Sequence, residues 1–213
     1  MLCSLRGYAI GLLVLMQAGC ALTNVTVESP RQMNIGTDAR RGMGRAIVLV
    51  TPFRDRRPDT QRCGMKKNGY NMDMANVNCD HGPGAELAQH LATELAAAGF
   101  RVFSSQQQAG PTAMILWGDL EQVFVECDNR VFYGAIETDI ALNLKVKFPN
   151  GTWYERRLYV KGEEDTFLAL GGDFQRSYES GVRNILTTAV GAVLNLADHL
   201  PMAPSAVATP VAP

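Results

Sequence analysis

The sequence predicts an α+β domain: a mostly antiparallel sheet with two helices packed on one face, in the order strand, helix, strands, helix. Three observations carry that expectation. Ile136, Ile140, Leu142, Leu144, Val146 and Phe148 alternate with Glu137, Asp139, Asn143, Lys145 and Lys147, the period-two pattern of a strand with one dry and one wet face. Pro149-Asn-Gly151 follows as an Asn-Gly hairpin signal, so that residues 152–161 return as the antiparallel partner. Two other stretches repeat every three or four residues: Leu87, Leu91 and Leu95, then Phe174, Tyr178, Val182, Ile185, Leu186, Ala189, Val193 and Leu196. Each reads as an amphipathic helix whose apolar stripe lies on the sheet.

The chain begins with a leader over residues 1–19: Arg6 supplies positive charge, residues 8–16 are apolar, and the small residues Ala18 and Gly19 precede Cys20. The apolar run is about nine residues, well short of the ~20 that span a bilayer as a helix. Ala18-Gly19-Cys20 resembles the lipobox of bacterial lipoproteins, with Gln17 where that motif usually has an apolar residue. The resemblance implies lipidation of Cys20 by diacylglycerol and palmitate-type acyl chains, with no other cofactor. An ordinary leader with an incidental cysteine, or an uncleaved anchor, is the competing reading. Ala21 stands where an Asp retains such proteins at the inner membrane, which implies the periplasmic face of the outer membrane. At about 0.8 kcal/mol per methylene, two or three acyl chains hold permanently where one holds marginally.

Residues 20–44 mix Thr, Asn, Ser, Pro30 and glycines without an apolar period and read as a lipidated extended tether. Gly42-Met-Gly44 precedes a strand, whereas a dinucleotide-binding glycine motif sits between strand and helix. Residues 45–200 form the single periplasmic domain. Residues 46–50 are a strand buried on both faces and bounded by Pro52. Residues 54–82 are a polar loop, longer than a compact domain usually leaves without structure or purpose. Pro83 and Gly84 open the first helix, and Gly99 supplies a left-handed stop. Residues 100–103 form a brief strand and 106–111 a loop. A strand resumes at 113–117 and bends near Gly118 toward Val125. The last helix runs from about Asp173 to His199 and ends at Pro201. Residues 201–213 are Ala, Pro, Val and Ser with little to bury, a disordered tail.

The formal net charge is −1, which gives no general attraction to nucleic acid. Arg54, Arg56, Arg57, Arg62, Lys66 and Lys67 cluster within the long loop. They read as a solvated run or as an interaction loop comprising Arg54, Arg56, Arg57, Lys66, Lys67, Asn68 and Tyr70. After the leader and Cys20, three cysteines remain: Cys63, Cys79 and Cys127. In an oxidising compartment Cys63 and Cys79, which flank one polar loop, are the expected disulfide. Cys127 is then a buried small hydrophobe, or pairs instead with one of the other two.

The strand ending in Pro52-Phe53-Arg-Asp55-Arg56, the loop Gly64-Met-Lys-Lys-Asn68-Gly69-Tyr70, the helix closing in Gly99-Phe100-Arg-Val102 and the strands before a last helix resemble the YajG-type bacterial lipoproteins over residues 45–200. The resemblance implies an outer-membrane-anchored α+β domain facing the periplasm, with no established enzyme activity. Cys63 replaces an aliphatic residue expected in such relatives, which suggests a disulfide added locally with Cys79.

No Gly-x-Ser-x-Gly elbow, phosphate-binding loop or His-Glu-x-x-His motif is present. Cys63, Asp73, Cys79, Asp80 and His81 match no common metal spacing, and no metal site is expected. Glu137 with Asp139, and Glu163-Glu-Asp165, read as solvent-facing charges on a strand. The expected function is that of a non-catalytic structural or accessory component of a larger envelope assembly serving secretion, the flagellum or transport. It would meet a protein partner through a sheet edge or the long loop. The alternative is a module that holds a small lipid or cell-wall fragment between sheet and helices.

Overall fold

The computed structural model describes residues 23–198, apart from 37, 39–40, 69, 130–133 and 167–169. The predicted leader, Cys20, His199 and the Ala/Pro tail lie outside the described residues. The strands are β1 (Val25–Val27), β2 (Ala46–Leu49), β3 (Arg54–Asp55), β4 (Gly64–Lys67), β5 (Asp73–Cys79), β6 (Arg101–Phe103), β7 (Met114–Asn129), β8 (Gly134–Lys147) and β9 (Trp153–Thr166). The helices are α1 (Pro83–Ala97), α2 (Gln106–Ala109) and α3 (Gly171–Asp198).

The 16-residue β7 is the spine of a nine-stranded sheet. One edge of β7 carries β8, and β9 follows on the far side of β8. The other edge is occupied in succession by β2, β3 and β4, all parallel to β7, at residues 114–116, 119–120 and 125–126. Beyond them, β6 pairs with β2, while β5 and then β1 continue from β4. The long ribbon β7–β8–β9 thus has two ends. Asn129, Gly134 and Thr166 lie level at one, and Ile115, Lys147 and Trp153 at the other.

This corrects the expected architecture of a mostly antiparallel sheet with two helices. Five of the eight strand pairings are parallel, and three helices are present among the described residues. The sequence signals direction only at tight hairpins, and the Asn-Gly turn marks the antiparallel β8–β9 pair; there Gly151 has φ 85°. The strand–helix–strand run through α1 provides the long crossover that parallel neighbours β2 and β6 require. Helix α2 is a single turn inside the predicted 106–111 loop.

Two boundaries also shift. The predicted tether is partly sheet: β1 pairs with β5, Val27 is buried and Met33 packs into the core. A three-residue strand shows no period, so its pairing and burial make it visible only in the fold. The predicted 54–82 loop contains β3, β4 and β5. Its polar look arises because most inward positions are taken by Gly64, Lys66 and Ala75, with Val77 as the large apolar exception.

The core fills the layer between the sheet and the helices. Ile47, Leu49, Met114, Leu116, Leu120, Val123 and Val125 of the sheet share one buried cluster with Leu87, Leu91 and Leu95 of α1, with Ile136, Ile140, Leu142 and Leu144 of β8, and with the apolar stripe of α3. Each such side chain, fully buried, contributes about 1.5–3 kcal/mol. Helix α3 approaches β9 so closely at Gly162 that a Cβ there would overlap the Ser177 carbonyl and the Gly181 amide. At the same crossing the Ser177 hydroxyl donates to the Ile136 carbonyl at 2.8 Å and bonds the Thr138 hydroxyl at 2.8 Å, so no hydroxyl is buried without a partner. Gly99, at φ 90°, ends α1 in the left-handed conformation.

Candidate functional site

The wet face of the ribbon is organised as pairs of opposite charge. Lys145 lies 3.0 Å from Asp119 and 3.4 Å from Glu155, Arg157 is 2.6 Å from Glu121, and Lys161 is 2.6 Å from Glu137. The Tyr159 hydroxyl donates to Asp139, which pushes the phenol pKa upward, and Glu137 holds the Lys161 ammonium above its usual range. Glu164 is tied to Arg176 at 2.6 Å. Of the carboxylates grouped in the sequence, Glu137, Asp139 and Glu164 are therefore committed to cations or a phenol, in exposed ion pairs that contribute little each.

At the β4 side of this face the segment 57–62 overhangs the sheet and encloses a groove of about 580 Å³. Its lining includes Met65, Phe124 and Pro58, with Asp59, Asp73, Glu121 and Glu126 against Arg62 and Lys67. The overhang is held by Arg57, only 6% exposed. The guanidinium of Arg57 donates to both oxygens of Asp55 at 2.8–3.2 Å, to the Thr60 and Arg62 carbonyls at 3.2 and 2.9 Å, and to Cys63 Sγ at 3.2 Å. The planar fork of Arg suits such a hub, whereas a Lys would satisfy fewer of these acceptors. At the rim Arg62 pairs with Asp59 at 2.5 Å, and that hydrogen bond draws the Asp59 carboxyl below its ordinary range. Lys67 pairs with Glu126 at 2.7 Å.

The predicted interaction residues are dispersed by the fold. Arg57 is a buried strut, and Lys66 is buried on the opposite face, with Nζ 3.3 Å from the Thr23 carbonyl and 5.7 Å from the Phe174 ring centre. Arg54 and Arg56 are exposed, with Arg54 3.9 Å from Asp119. Lys67 walls the groove, while Asn68 and Tyr70 form the turn of the β4–β5 hairpin. Asn68 Oδ1 accepts from the Tyr70 and Met72 amides at 3.0 Å each, and the turn presents Tyr70 at 87% and Met72 at 55% exposure.

Cys63 and Cys79 are joined by a disulfide across the base of this hairpin, with Cα atoms 5.6 Å apart. Cys127 is not part of it and is buried in the core on β7. Thiolates for a metal are thereby consumed, and among the described residues no cluster of three or more His, Cys, Asp or Glu side chains is placed to hold an ion. His81 is an exposed neighbour of Asp80, and His90 contacts the Ser29 hydroxyl at 3.3 Å.

Sequence reasoning missed Phe124, Met65 and Gln122 as groove residues. The strand was legible, but the register shift between Leu120 and Gln122 changes which residues face out. An aromatic between the inward Val123 and Val125 was the available signal.

A family model described as uncharacterized lipoprotein, Lipoprotein_16, matches residues 37–195. No curated protein matches the sequence. Among solved structures, the chain is similar to a DUF330-family protein from Xanthomonas campestris at 11% identity, with 81% of this chain and 96% of that one covered and a TM-score of 0.58. A minor lipoprotein from Acinetobacter baumannii matches at 8% identity, 72% and 95% coverage and a TM-score of 0.40. A lipoprotein from Neisseria meningitidis matches at 15% identity, 73% and 99% coverage and a TM-score of 0.32. Among the described residues no helix is long and apolar enough to cross a membrane.

Proposed function

The chain belongs to the uncharacterized-lipoprotein family matched over residues 37–195, and from that premise we propose that it is a non-catalytic accessory subunit of a larger outer-membrane assembly. In this reading acyl chains on Cys20 fix it to the periplasmic face of the outer membrane. It docks a protein partner in the groove beneath residues 57–62.

The groove carries the proposal. Its floor offers apolar Met65 and Phe124, while its rim carries both signs of charge in close alternation. A polypeptide segment with apolar side chains and mixed charges matches that lining; a nucleic-acid backbone, which needs a run of cations, does not. The alternative of a lipid or cell-wall fragment held between sheet and helices draws less support, because the side chains facing that layer form one buried cluster. The non-catalytic reading draws support from the commitment of Glu137 and Glu164 to ion pairs and of Cys63 and Cys79 to a disulfide.

A photo-crosslinking amino acid at Phe124, incorporated in cells of the native organism, tests it. The expected result is one discrete protein adduct in the outer-membrane fraction that is absent when the probe stands at Glu163 on the same wet face. Equal labelling from both positions, or no protein adduct from Phe124, contradicts the proposal.

A further inference from the structure

We infer that the turn of the β4–β5 hairpin, through Tyr70 and Met72, is a second membrane contact that sets the lipid-anchored domain on the bilayer surface. The inference rests on the reading of Cys20 as the lipid anchor. It adds an orientation that an anchor alone does not impose.

Strand direction supplies the first step. β1 runs parallel to β5, with Val25 beside Val77 and Val27 beside Cys79. β5 is antiparallel to β4, with Gly64 beside Val77. Followed backward from Val25, the chain therefore heads the same way as β4 does on its approach to the turn. Lys66 fixes the relation: its Nζ donates to the Thr23 carbonyl at 3.3 Å, and the Asn76 amide donates to Asn24 Oδ1 at 3.0 Å. Cys20 is three residues before Thr23, so its Cα lies within about 10 Å of that of Thr23 even in a fully extended chain. Tyr70 is four residues beyond Lys66, at most about 14 Å along the hairpin. A lipid held at Cys20 therefore brings the interface within reach of the turn.

Composition and rigidity supply the second. Tyr70 and Met72 are two residues apart on one turn, both largely exposed, and a Tyr ring with its polar hydroxyl suits the headgroup boundary. The turn is braced to enter it: Asn68 Oδ1 holds the Tyr70 and Met72 amides, the Asn68 amide donates to the Met72 carbonyl at 3.0 Å, and the disulfide ties the base. Little ordering remains to oppose insertion. Leu170, 51% exposed, lies at the same end, next to Gly171, whose Cβ position faces Val25. The proposed surface is drawn from Tyr70, Met72 and Leu170.

The test uses the full acylated chain with Tyr70→Trp, reconstituted in phosphatidylethanolamine–phosphatidylglycerol vesicles with and without bromine on the acyl chains. The side chain is exposed, so the fold tolerates the change. Relative to the unsubstituted protein, whose Trp117 and Trp153 form an edge-to-face pair at the opposite end, the added emission is expected to shift to shorter wavelength and to be largely lost in brominated vesicles. If the acylated protein sediments with vesicles but the added emission stays unshifted and unquenched, the turn faces water or a partner protein and the inference fails while the anchor stands. If mass spectrometry of the mature chain finds no acyl groups, the anchor reading fails first and takes this one with it.

Discussion

At one end of the β7–β8–β9 ribbon stand the entry to β1, the disulfide-braced hairpin turn and the start of α3. At the other stand the Asn150–Gly151 turn, the single-turn helix α2 and Met43 before β2. Both ends expose large apolar groups, yet they are held differently. Trp153 at the far end rests edge-on against Trp117 at 4.8 Å and lies under the Lys147 ammonium at 5.4 Å. Tyr70 and Met72 project from a turn in which Asn68 Oδ1 holds the backbone amides of both. The far end satisfies its aromatics with its own neighbours; the hairpin end uses its cross-links for rigidity and leaves its side chains outward. The difference teaches that exposure becomes informative when the structure has been stiffened around it.

The disulfide is the strongest lever on that contrast. Replacing both Cys63 and Cys79 by Ala reopens a 16-residue separation and is expected to cost about 3 kcal/mol in thermal or denaturant unfolding. Hydrogen exchange should quicken within β4 and β5 while the β8–β9 turn keeps its protection. Uniform loosening of both ends would erase the distinction.

Asp173 is the next. Its Oδ2 accepts from the Thr166 hydroxyl at 2.6 Å and the Leu170 amide at 2.9 Å, and its other oxygen pairs with Arg176. Burial alone would raise its pKa, but those partners prevail and the carboxyl titrates below its ordinary range. A depressed folded-state value means that its stabilisation is complete above the unfolded pKa of about 4 and disappears as pH falls through the folded one. Asp173→Asn is expected to lose about 2 kcal/mol at neutral pH, with the gap to the parent narrowing below pH 4. An equal gap at pH 3 and pH 7 would show that the charge is irrelevant there.

The parts legible in the sequence were those whose pattern is long and one-sided. β8 declared itself through alternating apolar and charged residues, and α1 and α3 through apolar repeats with an unambiguous stop at Gly99. Cys63 and Cys79 were also legible as a pair, because they flank one stretch of chain. What escaped was short or depended on its neighbours. β1, β3 and β4 each have two to four residues, too few to show a period. Buried Lys66 and Arg57 looked like solvent charges because their partners are backbone carbonyls, an aromatic ring and Asp55, none of which the basic run advertises. Parallel order escaped because only hairpin turns announce strand direction locally. The groove escaped with it, since Phe124 faces outward only after the register shift in β7.

Hydroxyl-radical footprinting of the acylated full chain on intact vesicles tests the central claim, that the β4–β5 hairpin end meets the bilayer, without altering a residue. In free solution the exposures of Tyr70 (87%), Met43 (66%), Trp153 (60%) and Met72 (55%) make all four reactive. On vesicles the account predicts that Tyr70 and Met72 become protected while Met43 and Trp153 are oxidised as before. Oxidation of all four at unchanged rates would contradict it.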